Sequence, residues 1–107
     1  MNLAEYLLTS YIEELSELQK EIAKCIKFTH NNRYEGYQHT NLQRARFERF
    51  DLKAVEDLLF EQCGIDLRTK KWNFQELLKY DEKKQRTIDS FEIAKILRSP
   101  DEQNSNN

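Results

Sequence analysis

Two pairs of carboxylates are the residues of this 107-residue chain best suited to chemistry. Glu14 and Glu17 are three residues apart, and so are Glu48 and Asp51. On a helix this spacing places two side chains on adjacent turns of one face, within reach of a shared cation. Mg²⁺ and Mn²⁺ prefer hard oxygen ligands, so two such pairs facing each other across an antiparallel helical hairpin could hold one or two ions.

The position of Glu48 and Asp51 on their helix favours a metal site. Both fall inside the apolar arc of that helix, and a carboxylate on a core-facing stripe costs several kcal/mol unless something pairs with it. A metal ion would make two of them tolerable side by side. The alternative is a structural network in which they pair with Arg44 and Arg46 or with lysines of the first helix. The arc consists of Phe47, Leu52, Ala54, Val55, Leu58 and Leu59.

A first long helix must position Glu14 and Glu17. The sequence predicts it over 3–28, with Asn2 as the N-cap and Glu5 as the reciprocal partner of a capping box. Its apolar residues recur at intervals of three and four, the period of one helix face. They are Leu8, Tyr11, Ile12, Leu15, Leu18, Ile22, Cys25 and Ile26.

A second long helix must position Glu48 and Asp51. It is predicted to begin at a capping box of Thr40 and Gln43 and to run to Cys63, where Gly64 ends it in a left-handed cap. The polar stretch 29–39 connects the two helices as a loop.

Two shorter helices and a tail are predicted to follow. Asn73 caps a helix that ends near Lys84, and Asp89 starts a last helix that ends before Pro100. Residues 101–107 are polar throughout and are predicted to be disordered. The fold class is therefore all-α: an antiparallel helical hairpin plus two shorter helices, in a single domain over residues 1–100.

Composition excludes several classes of protein. Charged residues make up 34% of the chain, and two Gly and one Pro are too few for a sandwich, a barrel or a Gly-rich phosphate loop. A net charge of −2 gives no bulk attraction to nucleic acid or to an anionic membrane. No apolar run approaches the roughly 20 residues of a membrane span, and the N-terminus lacks an export pattern. These features predict a cytoplasmic chain in which Cys25 and Cys63 stay reduced.

The carboxylate pattern resembles a known family. The run EExxE at 13–17, followed by ExxDLxAV at 48–55, looks like the MazG-like nucleotide pyrophosphohydrolases, which belong to the all-α NTP pyrophosphatase superfamily together with the dimeric dUTPases. The resemblance covers 13–63, and it is greatest to the small phage and bacterial members that act on deoxynucleotides. The matching runs are ELSELQKEIAKCIKF at 14–28, TNL at 40–42 and ERFDLKAVEDLL at 48–59.

This resemblance implies metal-dependent hydrolysis of a nucleoside or deoxynucleoside triphosphate to the monophosphate and pyrophosphate. Glu14, Glu17, Glu48 and Asp51 would be the catalytic residues that hold Mg²⁺, with Mn²⁺ as a substitute. The bound ion bridges triphosphate oxygens and lowers the pKa of a water. A carboxylate with spare coordination capacity, Glu17, would orient or deprotonate that water.

Such a reaction requires positive charge near the carboxylates for the phosphates. Lys24 and Lys27 lie at the end of the first helix on its acidic side, and Arg44 shares a face with Glu48. Asn41 is the fourth predicted substrate-binding residue. With Asn32 it could read a base edge while the loop aromatics Tyr34 and Tyr37 stack on the base, although these tyrosines could equally cover the open end of the hairpin.

Self-association is also expected, because helices of this number and length cannot shield both sides of the apolar seam. We predict a homo-oligomer, a dimer or tetramer, in which helices from different chains complete a bundle. The alternative function is a non-catalytic helical module that binds a nucleotide or a protein. A zinc site built from Cys25, Cys63, His30 and His39 is a weaker alternative, since neither pair has finger-like spacing.

Overall fold

The computed structural model describes residues 1–33, 36–69 and 71–96, and these residues form three α-helices and no strand. The helices are α1 (Leu3–Phe28), α2 (Asn41–Cys63) and α3 (Phe74–Ile96). The predicted all-α class is confirmed. The expectations for Tyr34, for the helix end before Pro100 and for the tail 101–107 lie outside the described residues.

The N-terminus of α1 begins where the sequence predicts. The Asn2 side chain accepts a hydrogen bond from the backbone N–H of Glu5 at 2.8 Å. The return contact differs from a full capping box, because the Glu5 carboxylate accepts from the Asn2 side-chain amide at 3.2 Å instead of the Asn2 backbone. The cap still satisfies one of the amide groups that a helix start leaves unpaired.

Both predicted ends of α2 are confirmed. Thr40 and Gln43 form a complete capping box, with reciprocal hydrogen bonds of 2.8 and 3.2 Å. At the other end Gly64 adopts φ 69°, and its N–H donates to the carbonyl of Phe60 at 3.0 Å. A residue without Cβ adopts this left-handed conformation at little cost, which is why the helix ends here.

α1 and α2 pack as an antiparallel hairpin. Arg44, in the first turns of α2, contacts Glu21 in the last turns of α1. Glu56, near the end of α2, accepts a 2.7 Å hydrogen bond from the Tyr11 hydroxyl near the start of α1. Burial raises the pKa of Tyr11 to about 12, assisted by this hydrogen bond and by the charge of Glu56.

The buried apolar residues in the described part of the chain are Leu7, Ala45 and Leu59, and of these Leu59 is fully buried. The apolar residues predicted to form one face of α1 divide into two sets. One set is half-buried and comprises Tyr11, Leu18 and Cys25. The other set is 38–84% exposed and comprises Leu8, Ile12, Leu15, Ile22 and Ile26.

The loop between α1 and α2 forms backbone hydrogen bonds with the first residues of α2. The carbonyls of Asn32 and His30 accept from the backbone N–H groups of Asn41 and Leu42 at 2.7 and 3.0 Å. The chain enters this loop through Thr29, which has φ 65° and ψ 153°. These two hydrogen bonds hold the first residues of the loop against the first turn of α2.

The residues group into two compact units, Met1–Arg68 and Thr69–Asn107. The second unit contains α3, which begins at the predicted cap: Asn73 and Glu76 exchange hydrogen bonds of 2.8 and 3.1 Å. The prediction of a single domain over residues 1–100 stays a prediction.

The prediction of two short helices in the second unit is wrong, because α3 is continuous through the expected break. Asp89 was expected to cap a new helix. Its carboxylate instead accepts from the Gln85 side chain at 2.9 Å, one turn earlier on the same helix. With its side chain engaged there and no Gly or Pro nearby, the chain continues as helix. No helix in the described residues is long and apolar enough to cross a membrane.

Candidate metal centre

Three of the four predicted ligands converge on the hairpin. Glu14 of α1 and Glu48 and Asp51 of α2 each offer a carboxylate oxygen, and these oxygens lie within 4.8 Å of one another. Glu14 and Glu48 are half-buried, whereas Asp51 is exposed. We call these three residues the acidic cluster. Small side-chain rotations could bring each of the three oxygens to about 2.1 Å from a shared Mg²⁺ ion, which is the metal–oxygen distance that this ion requires.

The three carboxylates repel one another. Burial raises the pKa of Glu48 above its ordinary value, and the charges of Asp51 and Glu14 raise it further. No ion pair within the described part of the chain joins the acidic cluster to a basic side chain. The alternative network with Arg44 or Arg46 is therefore absent there.

Glu17 lies beside the cluster but does not join it. Its side chain is 50% exposed, and its carboxylate accepts from Lys20 at 3.2 Å. The negative charge of Glu17 still contributes to the raised pKa of Glu48, so the two groups are within electrostatic range. The described geometry thus gathers three of the four predicted ligands, and the role of Glu17 stays a prediction.

Glu21 is a third carboxylate of α1 that the sequence places beside the same seam as Glu14 and Glu17, but it was not among the four predicted ligands. Its side chain is buried and receives Nε and Nη2 of Arg44 at 3.2 and 3.3 Å and Nζ of Lys24 at 3.0 Å. Burial alone would raise its pKa, but the hydrogen bonds and charges of Arg44 and Lys24 outweigh burial and lower it. Its position two turns after Glu14 places it on the same face of α1, but its pairing with Arg44 depends on packing between the two helices.

Arg44 and Lys24 leave one net positive charge around Glu21. Arg44 precedes Glu48 by four residues on α2, which places the two side chains on adjacent turns. The Arg44 guanidinium also lies over the ring of Tyr37, with its carbon 4.3 Å from the ring centroid. A cationic residue therefore lies one turn before Glu48 on α2, and a triphosphate site requires such a group near its carboxylates.

The other two predicted substrate-binding residues lie farther away. Lys27 is exposed in the last turn of α1, with Nζ 5.2 Å from the centroid of the Phe28 ring. Asn41 lies seven residues, or about 10 Å along the helix, before Glu48. Its side chain is 1% exposed and donates from Nδ2 to the carbonyl of Thr29 at 2.9 Å, while Oδ1 has no hydrogen-bond partner within the described structure.

The described residues do not form a zinc site of cysteines and histidines. Among them, the acidic cluster is the group of three possible ligands that could hold a metal ion. His39 contacts Phe47 edge-on, with ring centroids 4.8 Å apart. Cys25 and Cys63 are half-buried free thiols on different helices. Packing accounts for these side chains.

No protein-family model, no curated protein and no solved structure matches this chain. The resemblance to the MazG-like pyrophosphohydrolases therefore stays a prediction.

Proposed function

We propose that this protein is a Mg²⁺-dependent nucleotide pyrophosphohydrolase that converts a nucleoside or deoxynucleoside triphosphate to the monophosphate and pyrophosphate. One observation carries the proposal: Glu14, Glu48 and Asp51 bring carboxylate oxygens within 4.8 Å of one another from two helices. Burial raises the pKa of Glu48, and the charges of Asp51 and Glu14 raise it further, so keeping this carboxylate ionised without a cation costs free energy. A divalent ion would offset the cost, and hard carboxylate ligands suit Mg²⁺ or Mn²⁺.

In this proposal the acidic cluster holds the ion, which when bound polarises the triphosphate and activates a water. Glu17 lies next to the cluster and can rotate away from Lys20, since both side chains are solvent-exposed. It is the carboxylate suited to orient that water and to accept its proton. Negative charge builds up on the pyrophosphate as it leaves the attacked phosphorus. Positively charged side chains must therefore lie near the pyrophosphate to stabilise that charge.

Arg44 is the residue best placed to contact the phosphates. A guanidinium has five N–H donors, and Glu21 accepts from two of its nitrogen atoms. Its remaining N–H groups can donate to a phosphate oxygen while Glu21 keeps the guanidinium in position. Lys24 adds a second positive charge at the same carboxylate. Lys27 and Asn41 lie farther along their helices and stay weaker candidates.

A non-catalytic helical binding module is the second candidate function. It is favoured by the large apolar side chains that α1 exposes, among them Ile12 and Ile26. Under either function we propose a cytoplasmic homo-oligomer, a dimer or a tetramer.

The decisive experiment measures pyrophosphate release from a panel of canonical and modified nucleoside triphosphates, with Mg²⁺, with Mn²⁺ and with a chelator. We expect turnover of at least one nucleotide that requires the metal, and its loss in Glu48→Gln and Asp51→Asn. Glu61→Gln is the matched control, because Glu61 is an exposed carboxylate near the end of α2.

Three outcomes separate the candidates. Metal-dependent turnover that disappears in the two cluster variants supports the hydrolase. Nucleotide binding without turnover, unchanged by metal and by the cluster variants, supports the binding module. Turnover that persists at full rate in Glu48→Gln and Asp51→Asn contradicts the assignment of the acidic cluster as the metal site.

A further inference from the structure

Four residues of α2 form a patch of three cations around a phenyl ring. Arg46, Arg49, Phe50 and Lys53 follow one another at intervals that place each side chain next to two of the others on the helix surface. All four residues are exposed, and Phe50 is 62% exposed. We call these four residues the basic patch.

The basic patch lies on the side of α2 away from the acidic cluster. At 100° per residue, its centre is about 150° around the helix from Glu48 and Asp51. Ala45 and Leu59, which α2 buries, lie on the arc between the two sides. The proposed metal site and the basic patch therefore use different side chains of one helix and can be tested separately.

The positive charge of the basic patch is largely uncompensated. Arg46 and Arg49 form no ion pair with any other residue that the structure describes. Lys53 donates from Nζ to Oδ2 of Asp57 at 3.2 Å, but its side chain is 53% exposed, and a surface pair of this kind contributes little to stability. A phosphate oxygen can therefore replace Asp57 as the partner of Lys53.

The net charge of the chain does not cancel this local charge. Exposed charges act over about 8 Å at physiological salt, so a ligand at the patch responds mainly to its three cations. Asp57 and Glu61 follow the patch on the same side of α2. They would repel an anionic membrane lying along the helix, whereas a flexible strand needs to contact only the roughly 10 Å from Arg46 to Lys53.

Phe50 indicates which polyanion the basic patch fits. Cations alone attract polyphosphate, acidic peptides and nucleic acid alike. An exposed aromatic ring among the cations adds a surface on which a base can stack, and proteins that bind single strands combine these two elements. The bases of a duplex are already stacked on their neighbours, so a duplex offers only its phosphates to the patch.

We propose that the basic patch binds single-stranded nucleic acid, with Arg46, Arg49 and Lys53 contacting phosphates and Phe50 stacking on a base. Phosphate contacts without hydrogen bonds to base edges give weak, sequence-independent binding, with a dissociation constant of about 1–100 µM at physiological salt. Each phosphate contact with a single strand contributes about −0.7 to the slope of log affinity against log salt concentration, so the expected slope is about −2. The proposal does not depend on the proposed hydrolase function.

The test is fluorescence anisotropy of labelled oligothymidylate and oligouridylate, each of about 20 nucleotides, with the full chain. A chelator is present so that no metal ion links the oligonucleotide to the acidic cluster. We expect the affinity to fall about 20-fold between about 50 and 200 mM salt. Binding of either oligonucleotide supports the proposal, and a preference for one of them identifies DNA or RNA as the ligand.

Two variants separate the contributions of charge and stacking. Arg46→Gln should reduce the salt slope by about 0.7. Phe50→Ala should weaken oligonucleotide binding at least about fivefold without changing the slope, and should leave binding of inorganic polyphosphate unchanged. The matched controls are Arg86→Gln and Phe91→Ala, which alter exposed residues of α3 and should bind like the wild type. Thermal unfolding followed by circular dichroism verifies that all four variants are folded.

Three results would overturn the proposal. The first is no binding of either oligonucleotide at about 50 mM salt, including the case in which vesicles rich in phosphatidylserine bind instead. The second is an equal loss of binding in the patch variants and in their matched controls, which would mean that the patch is not the site. The third is unchanged oligonucleotide binding in Phe50→Ala, because the patch would then attract polyanions without stacking on a base.

Discussion

Arg44 of α2 donates from Nε and Nη2 to the buried carboxylate of Glu21 on α1, at 3.2 and 3.3 Å. The same two helices bring Glu14, Glu48 and Asp51 together without a basic partner among the described residues. In the hairpin, the negative charge of Glu21 is therefore balanced by a basic side chain, whereas the negative charges of the acidic cluster are not. The contrast yields stability predictions of opposite sign for substitutions that remove a single negative charge.

Glu21→Gln is expected to destabilise the hairpin by about 2 kcal/mol. The substitution removes the charge from hydrogen bonds donated by Arg44 and Lys24 and leaves the partly buried Arg44 without its anion. Urea unfolding followed by circular dichroism measures the effect. Glu17→Gln is the matched control, because its exposed pair with Lys20 should contribute less than about 0.5 kcal/mol. Equal losses in the two variants would contradict the role given to Glu21.

The same pair predicts how stability depends on pH. Arg44 and Lys24 lower the pKa of Glu21 below its ordinary value of 4.5. The unfolded chain therefore binds a proton to Glu21 more readily than the folded chain does, so the stabilisation is present above pH 4.5 and is lost as the pH falls through the lowered pKa. Melting temperatures of the wild type and of Glu21→Gln should differ by a constant amount at neutral pH and converge in acid. A difference that persists at the acid end would contradict this assignment.

Glu48→Gln is expected to stabilise the metal-free protein by about 0.5 kcal/mol, the size of a like-charge pair on a helix surface. The sign follows from the pKa of Glu48, which burial and the charges of Asp51 and Glu14 raise. The folded state gains stability when this carboxyl is protonated, and the glutamine reproduces the neutral form.

With a bound metal ion, we expect the wild type to be more stable than Glu48→Gln, which is the reverse of the order in the metal-free protein. Mn²⁺ should raise the melting temperature of the wild type, because an ion that binds the folded state alone stabilises it, and should leave Glu48→Gln unchanged. The increase should shrink as the pH falls, since protons compete with the ion for the carboxylates. Thermal unfolding with and without Mn²⁺ measures both effects. An equal response of the variant to Mn²⁺ would exclude Glu48 as a ligand.

Local chemistry explains which parts of the fold were predictable. Asn2, Thr40 and Gly64 set the predicted bounds of α1 and α2, because a cap depends on hydrogen bonds within a few residues of itself. Asp89 failed as a helix start for a related reason. An aspartate can cap a new helix or lie within an existing one. The Asp89 side chain accepts from Gln85 one turn earlier, and α3 continues through it.

The candidate site was predictable where it depends on spacing and unpredictable where it depends on packing. The three-residue interval between Glu48 and Asp51 was enough to place both on one face of α2, and the predicted antiparallel hairpin brought that face to Glu14. The sequence also predicted that Asp51 lies on the buried side of α2, but Asp51 is exposed and Glu21 is the buried carboxylate. Its burial depends on Arg44, 23 residues further along the chain, and no helical period relates residues on different helices.

The backbone at Thr29 provides the last prediction. Thr29 has φ 65° and ψ 153°, a region that is essentially restricted to glycine and costs other residues about 1–3 kcal/mol. Its carbonyl accepts from the Asn41 side chain, and this contact uses no atom of the threonine side chain. Thr29→Gly should therefore keep the loop closed and relieve the strain. Part of the gain, about 0.5–1 kcal/mol, is lost to the greater freedom of glycine in the unfolded chain.

We expect a net stabilisation of about 1 kcal/mol for Thr29→Gly, measured by urea unfolding. Thr29→Ala is the matched control: alanine keeps the Cβ atom that makes positive φ unfavourable, so it should gain little. This difference in stability between the glycine and alanine variants is expected if the loop forces position 29 into its positive-φ conformation, with the carbonyl of that residue accepting from Asn41. Equal stabilities of the two variants would mean that the Thr29 backbone is not strained, and that the hydrogen bonds from Asn41 and Leu42 close the loop without opposing it.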